Sequence, residues 1–466
     1  MSFKQVCTLA LALAALLFLT ACGGKPPMRG NVADMETFPQ DLTFYAQAAG
    51  ADRLLMDAST QEAQYERFRQ RLFAPWQMKK TSIRTRDISP LFRKAKGYRT
   101  GSTRWTQAQW DSMARNAALN NFPSQAQAAI TICNTDLREM PTHEHRFSEP
   151  TPKVEQNPFD YFQYSRLPIG MPLLIAHTSR DGNWHFVECG LAAGWVDARH
   201  VQAVDTSFKV IWSSGPLGAI LRDSVPLPEG LTTFGSKAGE PSNIHLAHIG
   251  TVLPIRGQDA AGNWRVLVPV RADDGVARIA ETSLPATDFA PMPLPMTPTR
   301  VAALGNILLG QPYGWGGMLD RRDCSALTRD LLTPFGIWLP RNSAAQARQG
   351  EVVSLEGMTA KAKESTILAQ GTPFLSLVGM RGHITLYVGQ YRGRPALFHN
   401  VWGVRVVDGK DDNARFVIGK AVVTSITPGI ELRHLYRPTT FADRLRSLNT
   451  PAPSSPVAGS TNNGAF

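Results

Sequence analysis

The sequence predicts a multidomain chain: a mainly helical N-terminal unit, two small all-β barrels and a C-terminal α+β domain. Three observations predict it. A strand, a Gly/Asn/Asp turn and a second strand opening at Trp occur together at Trp184 and again at Trp264. Aromatic residues at helical spacing precede the first copy. Cys324 opens a helical segment, and His383 and His399 follow it on strand-like segments.

The elements follow in chain order. Lys4 precedes an apolar run from Ala10 to Leu19. That run is too short for a mature membrane-spanning helix, which needs about 20 apolar residues, and residues 1–21 read as a secretory signal. The run ends in Leu19-Thr20-Ala21-Cys22, which resembles the bacterial lipobox. The resemblance implies cleavage before Cys22 and lipidation of its thiol, with each buried CH₂ contributing about 0.8 kcal/mol to membrane holding. Gly23-Gly24 follows where an acidic residue would signal inner-membrane retention. The expected location is therefore the cell envelope, lipid-anchored and facing the periplasm, on the outer membrane where there are two. Residues 22–39 read as a linker.

The 466 residues allow roughly three or four domains, and the 43% hydrophobic share is enough for sizeable cores. The formal charge of +11 is spread along the chain, which fits an anionic wall or membrane surface or serves solubility alone. An exported chain without a recognition motif excludes nucleic acid as a partner, and a monomer is expected. After Cys7 and Cys22, only Cys133, Cys189 and Cys324 remain, which is no disulfide framework. Pairing of Cys133 with Cys189 stays open beside two buried free thiols. His143/His145 and His245/His248 lack a third ligand, so neither a structural metal nor a cofactor is expected.

Residues 40–148 form the helical unit. Tyr65, Phe68, Leu72 and Trp76 share one helical face, and Trp105, Trp110 and Met113 mark a second helical piece. Ala129 to Cys133 reads as a strand leading into Asp136 to Thr142. The two Trp-opened repeats fall in residues 149–206 and 207–288, and short strands at this spacing indicate barrels. Their Gly-x-Trp signature, with the Gly194-Trp195-Val196 return, resembles bacterial SH3-like domains.

Residues 291–438 carry the chemistry. Gln311-Pro-Tyr313-Gly-Trp315-Gly-Gly317 reads as a loop. Asp323 is placed to cap a helix from Cys324 to about Thr333. A thiol in that first turn meets the positive end of the helix dipole, which predicts a lowered pKa and free N–H groups for an oxyanion hole. His383, Thr385 and Tyr387 share one face of a strand. Tyr391-Arg-Gly393-Arg turns, and Ala396 to Asn400 returns. Pairing Gly389 with Gly393 would set His383 directly opposite His399, close enough for one ring to orient the other.

The run Tyr313-Gly-Trp315-Gly-Gly, then Asp323-Cys324-Ser325, Gly382-His383 and His399 resembles the NlpC/p60 family of papain-like cell-wall cysteine peptidases. The order of domains resembles its long subgroup, with an N-terminal clip domain and two SH3-like domains before the peptidase. The resemblance implies a papain-like α+β fold and hydrolysis of the γ-D-glutamyl–meso-diaminopimelate bond in peptidoglycan stem peptides. It carries the roles of nucleophile, base and orienter onto Cys324, His383 and His399. It places Tyr313 and Trp315 in the cleft lining and Ser325 against substrate. It also implies a cleft walled on one side by the first barrel, which favours short peptides with a free N-terminal L-Ala.

Two departures stand out. Where relatives carry Arg-Asp-Ser, with the aspartate on the substrate amine, this chain has Arg341-Asn342-Ser343, and Asn342 brings no charge. The spacing from Tyr313 to Cys324 is also slightly short. The alternatives are an amidase or acyltransferase using the same residues on another wall amide, or a non-catalytic wall-binding lipoprotein. The Pro/Ser/Asn/Gly/Ala-rich tail, residues 439–466, reads as disordered.

Overall fold

A computed structural model describes residues 28–227, 246–409 and 414–452. The lipobox, Cys22 and the signal segment lie outside these residues. No helix among the described residues is long and apolar enough to cross a membrane.

The N-terminal unit is built on the helix Ala58–Gln77, capped where the Asp57 carboxylate accepts from the Thr60 N–H. Its predicted face, Tyr65, Phe68, Leu72 and Trp76, is buried. That face is not a private core: it packs with Ala129, Leu217 and Ala219 of both barrels, and the Trp76 indole donates to the Ala129 carbonyl at 2.8 Å. The second helix, Gln107–Ala117, starts in a Thr106/Gln109 capping box and buries Trp110 and Met113.

The first barrel is a seven-stranded antiparallel sheet. Its order is Gln163–Leu167, Thr135–Arg138, Ala193–Asp197, Trp184–Glu188, Pro172–Thr178, Gln127–Thr131 and Val201–Ala203. The strand expected within residues 40–148 therefore belongs to the barrel, because Gln127–Thr131 pairs with Pro172–Thr178. The second barrel orders Arg278–Leu284, Trp264–Val270, Val252–Gln258, Leu217–Ile220 and Phe289–Pro291. Both Trp-opened hairpins have a bulge at matching places, between Ile175 and His177 and between Ile255 and Gly257. The repeat in the sequence is thus a repeat in register.

The C-terminal sheet has six strands, in the order Glu351–Ser354, Leu445–Thr450, Leu377–Met380, His383–Tyr391, Arg394–Arg405 and Arg415–Thr424. The helices Pro298–Leu308 and Cys324–Leu332 join its core, with Val301, Leu304, Leu308, Leu327 and Leu331 buried there. Two expectations are corrected. The tail expected from residue 439 is ordered to residue 452, and Leu445–Thr450 is an interior strand of this sheet. The linker expected over 22–39 is docked from residue 28: Val32, Asp34 and Phe38 are buried, and the helix Leu42–Ala48 seats Leu42 and Tyr45 in the same core. Short segments among Pro, Gly and polar residues carry too few apolar positions to show a period; the groove they fill is made by distant chain.

Leu42→Ala and Leu448→Ala are each expected to cost about 2–5 kcal/mol, the range for emptying a buried leucine site. Denaturant unfolding followed by tryptophan fluorescence checks this. An unchanged midpoint for either would show that its segment is not part of the folded core.

Candidate active site

Cys324 is the first residue of its helix, as its neighbours dictate. The Asp323 carboxylate accepts from the Ala326 N–H at 2.8 Å and, through its other oxygen, from the Gly316 N–H at 3.0 Å. One carboxylate thus holds both the helix start and the glycine loop before it. Its charge is met by Arg341, whose Nη2 lies 2.7 Å from Oδ2. Arg341 Nε donates to Ser165 of the first barrel at 2.8 Å, and its Nη1 donates to Ser325 at 2.9 Å. All four side chains are buried.

The neighbouring residues bind the same loop to the barrels. Asp320 pairs with Arg166 at 2.7 Å. Arg322 takes Asp223 of the second barrel in a two-pronged contact at 2.6 and 2.9 Å, and reaches Asp330 at 2.8 Å. Gly316 and Gly317 have positive φ, and a Cβ on either would meet Gln163 or Arg166 at 2.6 and 2.4 Å. These glycines permit the approach of the barrel as well as the turn.

The histidines meet by a route the sequence missed. Tyr391 pairs with Arg394 across a two-residue turn in which Arg392 and Gly393 both have positive φ, and a bulge after Tyr387 shifts the ladder. Leu386 then faces Phe398, so the same register puts Thr385, not His383, opposite His399. His383 sits on the diagonal, still on the same face. The paired ladder ends at Leu386, and the rings close the gap: His383 Nε2 and His399 Nδ1 are 2.7 Å apart. His399 Nε2 lies 3.0 Å from the Thr424 hydroxyl, and Phe441 packs edge-on against both rings. The Ile384 N–H, one residue past His383, points at the Cys324 thiol, as does the Ser325 N–H.

This is a dry site, and dryness sets its charges. Burial pushes the Cys324 thiol up to about 12; the Asp323 charge acts in the same direction and the Ile384 N–H opposes it. Burial brings His383 down to about 3, helped by Arg444 and opposed by Asp323. Burial, then the neighbouring His383, holds His399 well below its ordinary value. Burial thus acts against the thiolate that the helix dipole by itself favours. The first-turn N–H of Ala326 is spent on Asp323, and that carboxylate adds a negative charge beside the sulfur.

The other expected residues divide. Tyr313 and Trp315 stand together around Phe159 of the first-barrel segment, at ring distances of 5.8 and 5.6 Å, with Tyr161 and Trp402 completing the cluster. Ser325 is engaged by Asp323 and Arg341, so its hydroxyl is part of the scaffold. Asn342 is exposed, and its side-chain oxygen caps the short helix Ser343–Gln346 by accepting from Ala345 at 2.8 Å. Ser343, half-buried, is the first residue of that helix. Sequence reasoning missed Phe159, Trp402, Thr424 and Phe441, which carry no spacing signal, and the role of Arg341, which lay inside a quoted motif. Cys133 and Cys189 are free and buried. A cavity of about 90 Å³ lies behind the Cys324 helix among all four domains; none of Cys324, His383 and His399 lines it.

Two outcomes follow from these charges. Alkylation of Cys324 by iodoacetamide, read by mass spectrometry of its peptide, is expected to rise about tenfold per pH unit from pH 6 to 9, because the thiolate is the reactive form. A rate that is flat over pH 5–8 would show a preformed thiolate–imidazolium pair instead. The second concerns acid. The unfolded chain protonates His383 near 6.5, while the folded site resists to about 3. Its contribution is complete above 6.5 and drains as pH falls toward 3, at up to about 1.4 kcal/mol per unit. Melting of wild type should fall over that window, and His383→Gln should flatten the fall; an unchanged slope in the variant would refute the assignment.

Comparison with known proteins agrees with the geometry. Residues 310–409 match the NlpC/P60 family, 11–122 the N-terminal NLPC_P60 stabilising domain, 145–197 an SH3 domain of SH3b1 type and 205–260 one of SH3b2 type. A gamma-D-glutamyl-L-lysine dipeptidyl-peptidase of Bacillus cereus is 30% identical over 115 residues, which are 23% of this chain and 31% of that protein. A probable endopeptidase of Corynebacterium glutamicum is 33% identical over 123 residues, 26% of this chain and 58% of the relative. The match thus spans a third to somewhat over half of these relatives' length. The fold of an NlpC/P60 endopeptidase from Photobacterium damselae subsp. piscicida superposes with a TM-score of 0.76 at 24% identity, covering 91% of this chain and 99% of the other. With its stabilising domain and two SH3 domains in front, this chain belongs to the NlpC/P60 family.

Proposed function

We propose that the protein is a cysteine endopeptidase that cleaves the γ-D-glutamyl–meso-diaminopimelate bond of peptidoglycan stem peptides, working from the cell envelope on a lipid anchor at Cys22. The observation that carries this reading is the buried His383–His399 contact at 2.7 Å beside a helix-opening thiol. The Bacillus cereus relative, a gamma-D-glutamyl-L-lysine dipeptidyl-peptidase, supports cleavage after a γ-D-glutamyl residue. The SH3 domains and the spread positive charge support a wall substrate.

The residues perform the step as follows. His383 accepts the Cys324 proton as the sulfur attacks the scissile carbonyl carbon, so charge develops only in the reacting complex. His399 holds the imidazolium that results. The proton then passes to the leaving amine, a thioester remains on Cys324, and water hydrolyses it with His383 again as base. A neutral resting pair suits a closed site, since no ion has to be desolvated before substrate arrives.

Phe159 and Tyr161 of the first barrel pack against Tyr313 and Trp315, and a wall at that position supports short stem peptides with a free N-terminal L-Ala over glycan-linked ones. Asn342 adds nothing to amine recognition from its capping position, so the preference rests on this wall and not on a carboxylate. The test is incubation of the purified chain with L-Ala-γ-D-Glu-meso-diaminopimelate peptides, free and glycan-linked, followed by mass spectrometry. Cleavage by wild type and none by Cys324→Ala is expected. Equal cleavage by both would overturn the mechanism, and cleavage of the glycan-linked peptide alone would overturn the substrate.

A further inference from the structure

We infer that Thr424, held through Ser425 by Asp34 of the N-terminal segment, is a positioning residue that fixes the proton positions on both site histidines. The inference rests on the reading of His383 as base and His399 as its orienter.

The argument is a count of protons. The Thr424 hydroxyl has one hydrogen, and it is donated to the Ser425 carbonyl at 2.9 Å, an atom that can only accept. Toward His399 the same oxygen can then only accept, so His399 Nε2, 3.0 Å away, carries the hydrogen. A neutral His399 is left with a lone pair on Nδ1, and His383 Nε2 must donate to it across 2.7 Å. A neutral His383 is therefore protonated on Nε2 and has its lone pair on Nδ1, free to take the thiol proton. Burial keeps both rings neutral at working pH. One hydroxyl at the far end of the chain of contacts thus selects the base nitrogen at the near end.

That hydroxyl is itself fixed. Ser425 donates its N–H and its hydroxyl to a single Asp34 carboxylate oxygen, at 2.8 and 2.6 Å. The Ser425 oxygen accepts in turn from the Thr427 N–H at 3.0 Å and from Arg394 at 3.1 Å. Ser425 cannot rotate without breaking charge-assisted bonds, so its carbonyl stays aimed at Thr424. Asp34, Thr424 and Ser425 are all buried. Asp34 lies on the short helix Ala33–Thr37, in the stretch that the sequence presents as a linker. The N-terminal segment therefore braces the catalytic histidines from behind the sheet.

The test pairs ¹⁵N-histidine NMR with stem-peptide kinetics on full-length wild type, Thr424→Val, Thr424→Ser and Asp34→Asn, each checked for folding by thermal melting. Wild type should show the protonated nitrogen of His399 at Nε2 and that of His383 also at Nε2. Thr424→Val should disturb both signals and lower kcat about 10- to 100-fold with little change in KM, the size of loss seen when the partner orienting a ligating histidine is removed. Thr424→Ser, which restores the acceptor, should recover most of that loss, and Asp34→Asn should fall between. Protonation of His399 on Nδ1 in wild type would overturn the inference. So would a Thr424→Val enzyme with unchanged nitrogen signals, whatever its rate. Should wild type cleave no stem peptide while showing the stated proton positions, the peptidase reading fails and the proton assignment stands.

Discussion

The buried pair between Asp323 and Arg341 is the contact on which the site depends. A lone carboxylate at that depth would cost several kcal/mol. Arg341 offsets it at 2.7 Å and uses its remaining donors on Ser165 and Ser325. The same carboxylate starts the Cys324 helix and holds Gly316. Removing either partner would leave a buried unpaired charge and release three things together: the thiol, the glycine loop and the seam with the first barrel. The ion pairs of Asp320 and Arg322 repeat this logic on either side, reaching Arg166 and Asp223. The barrels are thus bonded through the residues that precede Cys324.

Burial that makes this scaffold rigid also decides its chemistry. Each group in it is pushed toward its neutral form unless a counter-charge stands beside it. Arg341 and Asp323 have each other, which favours their charged forms; Cys324, His383 and His399 lack such a counter-charge, and burial shifts each toward its neutral form. In the proposed reaction the proton moves at the moment of attack. The tautomers of the two rings then matter more than their average charge, which is why a neutral hydroxyl at Thr424 bears on the reaction.

Much of the fold was legible where a periodic signal was long enough. The face of Tyr65, Phe68, Leu72 and Trp76, the Trp-opened hairpins and the capped Cys324 helix all stand where spacing put them. The register of His383 and His399 was not legible. A two-residue turn and one bulge, each decided by backbone sterics around Gly393 and Val388, moved the pairing while leaving both rings on one face. Side-chain period 2 preserved the face, and the diagonal reach of two imidazoles did the rest. The short docked pieces, Val32 to Phe38 and Leu445 to Thr450, were unreadable, because their partners are distant in the chain: Ser425 for Asp34, and Glu351–Ser354 with Leu377–Met380 for the strand.

The sequence by itself determined the order of domains and the capped helix that opens at Cys324, because these depend on neighbours in the chain. Tertiary structure alone decided the rest. It gave Ser325 a hydroxyl engaged by Asp323 and Arg341, and it made Asn342 a helix cap. It brought Phe159 of one domain against Tyr313 and Trp315 of another, and it carried Asp34 to the back of the catalytic strand. It also set burial against the helix dipole at Cys324. A helix dipole is a local property that the chain announces, but desolvation depends on every domain that closes over the sulfur, and here desolvation is the larger effect.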